Sequence, residues 1–502
     1  MTKFDKTLAF AVSALAVGCA WLPSVGPDYE GVGVEMKMSA LPDAGFPHTN
    51  LTETCEYRSA DAKADDRIVI SNDMLERWWT RFDDDVLVSL VESAVTNNLS
   101  YLQAIARLEK AKYELLGSYA AFLPKFGLGS SWNRNWYGKY AQGNAATTYN
   151  RQQVALDGNW EIDIFGGSRR MSEAALAQAE AAGWDVANAW VQLTTLLGQQ
   201  YVNLRTTQAR IEVARTNLVL QSETYDILKS RLDSGIGDEL AVNQCAYVVE
   251  QTRAAIPTLL AQEEALKNAI AILAGAAPGE LDRMLRPVDV RRDWLLAPQK
   301  IGELKMEMLR ARPDVRAAER QLAAQTAYIG VAKSSWFPKF YITGTVGWQN
   351  SNSHRLFTKD SFFALLGPSA SWPIFQGGAI YANVKATEAK LAEVAIGYEL
   401  AVQTAYGEVR DAYSAYTQEY HRYKSLGAAV KAASDAVMIS KDLYKNGLKD
   451  FNNVLDAQRS RLQFEEQYVI SRGQITLQLI ALYKALGGGL AIPDDNGDSS
   501  DR

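Results

Sequence analysis

The chain of 502 residues and 55.4 kDa is long enough for several average domains or for one elongated architecture of repeated parts. Its 47% hydrophobic and 22% charged residues argue against wholesale disorder and collagen-like sequence. A mean hydropathy of -0.18 argues against a polytopic helical membrane protein but leaves a β-barrel open, because barrel strands alternate apolar and polar residues. The 52 basic and 58 acidic residues give a net charge of -6, with no Lys/Arg run long enough to track phosphates, so nucleic-acid binding is disfavoured. Cys19, Cys55 and Cys245 are too few for a disulfide framework and have no zinc-type spacing.

From the N-terminus, Lys3 and Lys6 precede an apolar stretch from Thr7 to Val17 and then Gly18-Cys19, the order of a secretory signal occupying residues 1–18. Leu15-Ala16-Val17-Gly18-Cys19 resembles the lipobox of bacterial lipoproteins, although Ala16 stands where Leu is more usual. On that likeness Cys19 becomes the acylated first residue of the mature chain, and Ala20 after it routes the lipoprotein to the outer membrane. An ordinary cleaved signal followed by an unrelated cysteine is the alternative. Residues 19–77 then form an extended, lipid-anchored N-terminal segment, with a charged stretch from Glu53 to Arg67 that matches no motif.

The remaining chain repeats itself. Phe122-Leu123-Pro124-Lys125-Phe126 returns as Trp336-Phe337-Pro338-Lys339-Phe340, and Trp160 to Gly167 is echoed by Trp372 to Gly378. Leu232-Asp233-Ser234-Gly235-Ile236 is echoed by Tyr444-Lys445-Asn446-Gly447-Leu448 in the same order. A duplication of about 210 residues accounts for all three and divides the chain into halves at 78–290 and 291–490, followed by an acidic tail at 491–502 that reads as disordered. Each half reads as a helix, a strand pair, a very long helix, a tight turn and a returning helix. In the first long helix Leu193, Leu197, Gln200, Leu204, Thr207, Ile211, Ala214 and Leu218 alternate steps of four and three, a coiled-coil seam. Val402, Ala405, Val409, Ala412 and Tyr416 start a second seam, continued by Val430, Ala433, Val437, Ser440 and Tyr444. Segments from about Arg169 to Asp233 and from Ala379 to Lys445 would each be roughly 100 Å long. Their mixed Ala, Ser, Thr and Gln seams and charged flanks place them in water or against each other, never in lipid.

Strands are expected at about 126–136, 153–165, 339–348 and 361–374. Val154, Leu156, Gly158, Trp160 and Ile162 alternate with Gln153, Ala155, Asp157, Asn159 and Glu161. Phe340, Ile342, Gly344, Val346 and Trp348 repeat the pattern, and Trp132, Trp136, Trp348 and Trp372 lie towards strand ends. Two isolated hairpins with one apolar face, attached to such long helices, have no second sheet to pack on, so the pattern reads as transmembrane β-strands with aromatic girdles. Four strands are too few to close a barrel, so several chains must contribute. An enzyme finds little support: His48, His354 and His421 are scattered, and no GxSxG, P-loop or HExxH occurs.

Beyond these patterns stand Val25-Gly26-Pro27-Asp28-Tyr29, Trp78-Trp79 with Phe82-Asp83, and Trp160-Glu161-Ile162-Asp163-Ile164-Phe165-Gly166. Arg312-Pro313-Asp314-Val315-Arg316-Ala317-Ala318-Glu319, Gly367-Pro368, Pro373-Ile374-Phe375-Gln376-Gly377-Gly378 and Leu486-Gly487-Gly488-Gly489 follow. In combination they resemble TolC-type outer-membrane efflux proteins, in the lipoprotein branch that serves resistance-nodulation-division pumps. Leu490 departs from the family, where Trp commonly closes the glycine run.

The resemblance implies a mainly α protein with a membrane β-barrel: a homotrimer whose twelve strands close one barrel and whose twelve helices form a periplasmic tunnel. It implies a passive channel linking an inner-membrane pump and a periplasmic adaptor to the exterior, with no cofactor beyond the acyl groups on Cys19. The turns at Gly235-Ile236 and Gly447-Leu448 become the periplasmic tips where the adaptor docks. Asp456, with Asn453 and Arg459, falls on the family's closed aperture; a charged but functionless helix end is the plain alternative there. A type I-like secretion or oligosaccharide export duct, or a pore-less coiled-coil lipoprotein, are the competing functions, and the cargo is not legible.

Overall fold

The protein is described by a computed structural model covering residues 24–29, 67–68, 77–140, 147–287, 300–301, 311–446 and 448–488. Cys19, Cys55, Gly447 and the acidic tail lie outside the described residues. Among the described residues seven α-helices follow in chain order: α1 (Asp85–Asn97), α2 (Leu99–Tyr119), α3 (Gly167–Asp233), α4 (Glu239–Leu273), α5 (Pro313–Ser334), α6 (Ala379–Lys445) and α7 (Phe451–Ala485). Among the described residues no helix is long and apolar enough to cross a membrane. The strands are β1 (Arg67–Ile68), β2 (Lys125–Tyr137), β3 (Thr147–Ile162), β4 (Lys300–Ile301), β5 (Lys339–Asn350) and β6 (Phe362–Ser371). Two compact units divide the chain, one built from 1–39, 107–183 and 317–399 and the other from 40–106, 184–316 and 400–502.

The two halves of the sequence produce matching elements. Helices α3 and α6 are both 67 residues long and start 212 residues apart, at 167 and 379; α4 and α7 are both 35 residues long and start at 239 and 451, again 212 apart. The indole of Trp160 donates to the Phe122 carbonyl (2.9 Å) and that of Trp372 to the Trp336 carbonyl (3.0 Å), so the echoed motifs make the same bond.

In the first unit the strands form one antiparallel sheet in the order β2-β3-β5-β6. The two hairpins are therefore not isolated: β3 and β5 pair from Gln152↔Asn350 to Ile162↔Phe340. The reason is that two separate hairpins would leave four unpaired strand edges, and joining them leaves two. Two strands, β3 and β6, differ by more than two residues from the sequence pattern. Strand β3 starts at Thr147 rather than 153, because its polar first residues pair with Asn133 to Tyr137, and it ends at Ile162 rather than 165. There the Asp163 carboxylate accepts the Arg169 backbone N–H at 2.9 Å and leads into α3. Strand β6 stops at Ser371, two residues before Pro373.

The register sorts the side chains as the alternation demands. Leu128, Leu156, Val346 and Ala364 form one cross-strand row, and Phe126, Gly158, Gly344 and Leu366 the next on the same face. The opposite face carries polar pairs, Thr345 Oγ1 donating to Asp157 at 2.8 Å and Lys339 bridging Glu161 at 3.2 Å. Between them Gly347 is pressed against β3: a Cβ there would stand 2.2 Å from the Val154 carbonyl oxygen and 2.6 Å from the Ala155 Cα. Gly347→Val is expected to open the β3–β5 ladder and cost on the order of 3 kcal/mol, measured as lost strand signal and earlier melting in detergent.

Residues 24–29 are fastened to this unit. Val25 N–H donates to the Phe165 carbonyl at 3.2 Å, Asp28 pairs with the buried Arg170, and the Tyr29 hydroxyl donates to Glu319 at 3.3 Å. Gly26 has φ +109 and its missing Cβ faces Gly330 Cα at 2.5 Å, so this close approach tolerates only glycine.

The second unit holds the main core. A 3-10 turn at Trp78–Phe82 places Trp78, Trp79 and Phe82 against Leu197, Val202 and Leu204 of α3 and Ile480 and Leu482 of α7. Trp78 is fully buried and seats on Gly198, where a Cβ would lie 2.3 Å from its ring. Seam residues Leu193, Leu197, Leu204, Thr207, Ile211 and Ala214 are all buried, as are Ala405, Val409, Ala412 and Tyr416 on α6. Some polar groups inside this core are matched: the Tyr201 hydroxyl donates to Asp84 and accepts from Arg205 (2.7 Å), and Arg205 also donates to the Arg286 carbonyl (2.8 Å), whereas the buried Trp78 indole N–H finds no hydrogen-bond partner among the described residues. Burial is the main cause that pushes the Tyr201 phenol well above its usual value, so it stays a neutral donor. Arg312, 5% exposed, donates to Asp314 (2.7 Å), Glu408 (2.7 Å) and the Ala485 carbonyl (2.8 Å), tying the start of α5 to α6 and the end of α7.

Candidate functional site

The turn from α3 to α4 and the start of α7 carry the site residues read from the sequence. Helix α3 ends in two nested bonds, Gly235 N–H to the Leu232 carbonyl (2.8 Å) and Ile236 N–H to the Arg231 carbonyl (3.1 Å). This is a Schellman cap, with Gly235 at φ +75, a conformation a β-carbon opposes. Ile236 is left 75% exposed, and Asp238 then caps α4 by accepting the Leu240 N–H at 2.9 Å. The corresponding turn after α6 closes by Leu448 N–H to the Leu443 carbonyl (2.9 Å) and leaves Leu448 67% exposed. Two apolar side chains thus stand in solvent on turns that have no need of them for capping. Behind the turns Leu228, Ala241, Val242, Cys245, Phe451, Val454 and Leu455 form a small core of their own. Burial raises the Cys245 thiol to about 11, which keeps it protonated and unreactive.

On the first turns of α7, Asp456 and Arg459 come within 3.8 Å of each other, and Asn453 donates to the Asp450 carbonyl at 3.2 Å. Asp456 and Asn453 are exposed. Asn453 is not joined to the Asp456–Arg459 pair by any hydrogen bond among the described residues. The sequence did not reveal Tyr247 of α4: the Arg459 guanidinium lies over its ring, 5.1 Å from the centroid, and donates to its hydroxyl. The signal was present in the duplication, since Tyr247 and Arg459 are 212 residues apart and occupy equivalent positions of the two halves. Gln244, the counterpart of Asp456, carries no charge, so only one half supplies a carboxylate. With Asp456 77% and Arg459 43% exposed, the pair contributes at most about 1 kcal/mol within one chain. It is a weak, solvent-exposed ion pair.

The outer membrane efflux protein model matches residues 90–276 and again 305–488. The chain belongs to the outer membrane efflux protein family. This efflux protein is 30% identical over 457 residues to nodulation protein T of Rhizobium leguminosarum bv. viciae, covering 90% of the chain and 91% of that relative. It is 29% identical over 423 residues to outer membrane protein OprJ of Pseudomonas aeruginosa, covering 82% and 86% respectively. The solved structure of the outer-membrane channel OprN superposes with a TM-score of 0.80 at 30% identity, over 93% of this chain and 99% of that one. The efflux protein is thus a TolC-type channel of the outer membrane, as the motifs implied.

Proposed function

We propose that three copies of the efflux protein close their sheets into one twelve-stranded barrel and their long helices into a periplasmic tunnel, a passive exit for cargo delivered by an inner-membrane pump of the resistance-nodulation-division type. The observation that carries this reading is the sheet itself: an apolar face, with β2 and β6 as edges that no strand pairs among the described residues. In lipid every backbone N–H and C=O must be paired, so these edges need further copies. The recurrence of α3 with α4 and α6 with α7 at one offset, and the double family match, support an internal duplication with halves at 78–290 and 291–490.

A periplasmic adaptor docks at the tips, where Ile236 and Leu448 offer apolar contacts beside Gly235 and Gly447. Asp456, with Asn453 nearby, rings the closed aperture, and Arg459 holds Asp456 against self-repulsion between copies; adaptor contact releases the latch. Cys19 carries the acyl anchor. The fastening of residues 24–29 beside Phe165, just past the end of β3, supports an anchor emerging close to the membrane.

Planar-bilayer recording tests the channel reading. The wild type is expected to insert as trimers with a low resting conductance that Asp456→Ala raises several-fold, and Arg459→Ala likewise. Trimers that conduct equally in all three forms would remove the gate assignment, and absence of any pore would remove the channel.

A further inference from the structure

At the end of the sheet remote from the helices, β2 presents Trp132, Arg134 and Trp136 on the same face as Phe126 and Leu128. All three are exposed. The Arg134 guanidinium stands 5.6 Å from the centroid of the Trp136 ring, and among the described residues no carboxylate lies within ion-pair distance of it. On the second hairpin, Trp348 of that face meets Phe357 at 5.7 Å and Phe362 at 6.1 Å, both edge-on. The loop between β5 and β6 is pinned there by hydrogen bonds. Asn350 donates to Ser361 Oγ (2.6 Å), while Ser361 (2.6 Å) and Thr358 (2.9 Å) donate to the Arg355 carbonyl. Arg355 and Lys359 are exposed on this fixed loop.

Charge is sorted along the strands. From 126 to 151 the sequence has Arg134, Lys139 and Arg151 and no acidic residue, and from 349 to 361 it has Arg355 and Lys359 against Asp360 alone. This local excess of cations occurs in a chain whose net charge is -6. The helix end is mixed instead, with Asp157, Glu161 and Asp163 beside Lys125 and Lys339, the latter paired with Glu161. Arg151 belongs to the opposite, polar face, where it donates to Gln349 at 2.8 Å. Arg134 has no such partner and shares its face with the lipid-facing residues. A cation on that face is costly in hydrocarbon, whereas Trp rings mark the headgroup level, where an anion can meet it. The mix of flat rings, an unpaired guanidinium and a loop-borne cation pair complements a headgroup with sugar faces and phosphate oxygens.

We propose that this rim, Arg134 with Arg355 and Lys359 among the exposed tryptophans, binds phosphate-bearing glycolipid headgroups of the outer leaflet. The inference rests on the barrel reading above. Closing β2 of one copy against β6 of the next would bring Arg134 beside the neighbour's 351–361 loop, so that each seam of the trimer holds one such site.

The test uses the purified full-length protein in detergent, titrated with diphosphoryl lipid A or with the same lipid stripped of its phosphates, and read by native mass spectrometry. The wild-type trimer is expected to retain the diphosphoryl form at least about tenfold more strongly, and Arg134→Gln/Arg355→Gln/Lys359→Gln to lose that preference with the trimer intact. Equal retention of the two lipids by intact wild-type trimers overturns this inference alone, as does an unchanged preference in the triple variant. Absence of trimers overturns the barrel reading and this inference with it.

Discussion

Trp78→Ala is expected to cost about 3–5 kcal/mol, the scale for deleting a large, fully buried aromatic side chain. Trp78 is fully buried, makes edge contacts with Trp79 (5.8 Å) and Phe82 (5.9 Å), and fills the notch that Gly198 leaves on α3. The loss would appear as a lower urea midpoint followed by helical circular dichroism, and as early proteolysis of the 78–98 segment. Gly198→Leu attacks the same contact from the other side, because its side chain must enter space the indole occupies. The two changes together should be less harmful than their sum by at least about 1 kcal/mol, as leucine fills part of the vacated volume. Strict additivity would show that the ring and the notch do not meet.

Arg312→Met should cost about 3 kcal/mol, below the top of the range for a broken buried ion pair because its acceptors are partly solvated. Asp314 and Glu408 keep 36% and 43% side-chain exposure and regain water, but the Ala485 carbonyl loses its guanidinium donor. Arg312→Lys keeps the charge without the planar fork and should fall between the two. Acid titration gives a second readout. Burial alone pushes the Asp314 carboxyl up, but the hydrogen bonds and charge of Arg312 outweigh it, and the net position is below the usual carboxylate value. A carboxylate depressed in the folded state stabilises above its unfolded pKa, about 3.9, and that stability is lost as pH falls through the folded value. The wild type should therefore lose stability below about pH 4, and Asp314→Asn should be weaker at neutral pH yet flatter across the acid limb. A parallel acid limb in the two proteins would contradict the pairing.

What the sequence could and could not reveal follows from the range of each interaction. The long helices were legible because seams and terminal turns are local: α6 begins and ends at the residues the pattern indicated, and α3 starts two residues early. The apolar and polar faces of β3 and β5 were legible for the same reason. Joining of β3 to β5 was not, since strand pairing between residues about 200 apart is decided by edges that alternation does not specify. Arg312 and Trp78 were visible as motif residues, but the notch at Gly198 and the carbonyl of Ala485 belong to distant segments. Of the candidate gate, the Asp456–Arg459 pair was readable from its spacing, whereas the duplication marked Tyr247 only as the equivalent of Arg459, and their contact needed the tertiary pairing of α4 with α7.

A duct that takes cargo from a periplasmic adaptor to the exterior must meet that adaptor at the exposed tip. A photo-crosslinking residue at position 448, in cells expressing the trimer, should capture a periplasmic adaptor, identifiable by mass spectrometry, and Leu448→Glu in an otherwise unchanged chain should weaken transport. Capture of nothing but the protein's own copies would contradict the account, leaving a stand-alone pore or scaffold.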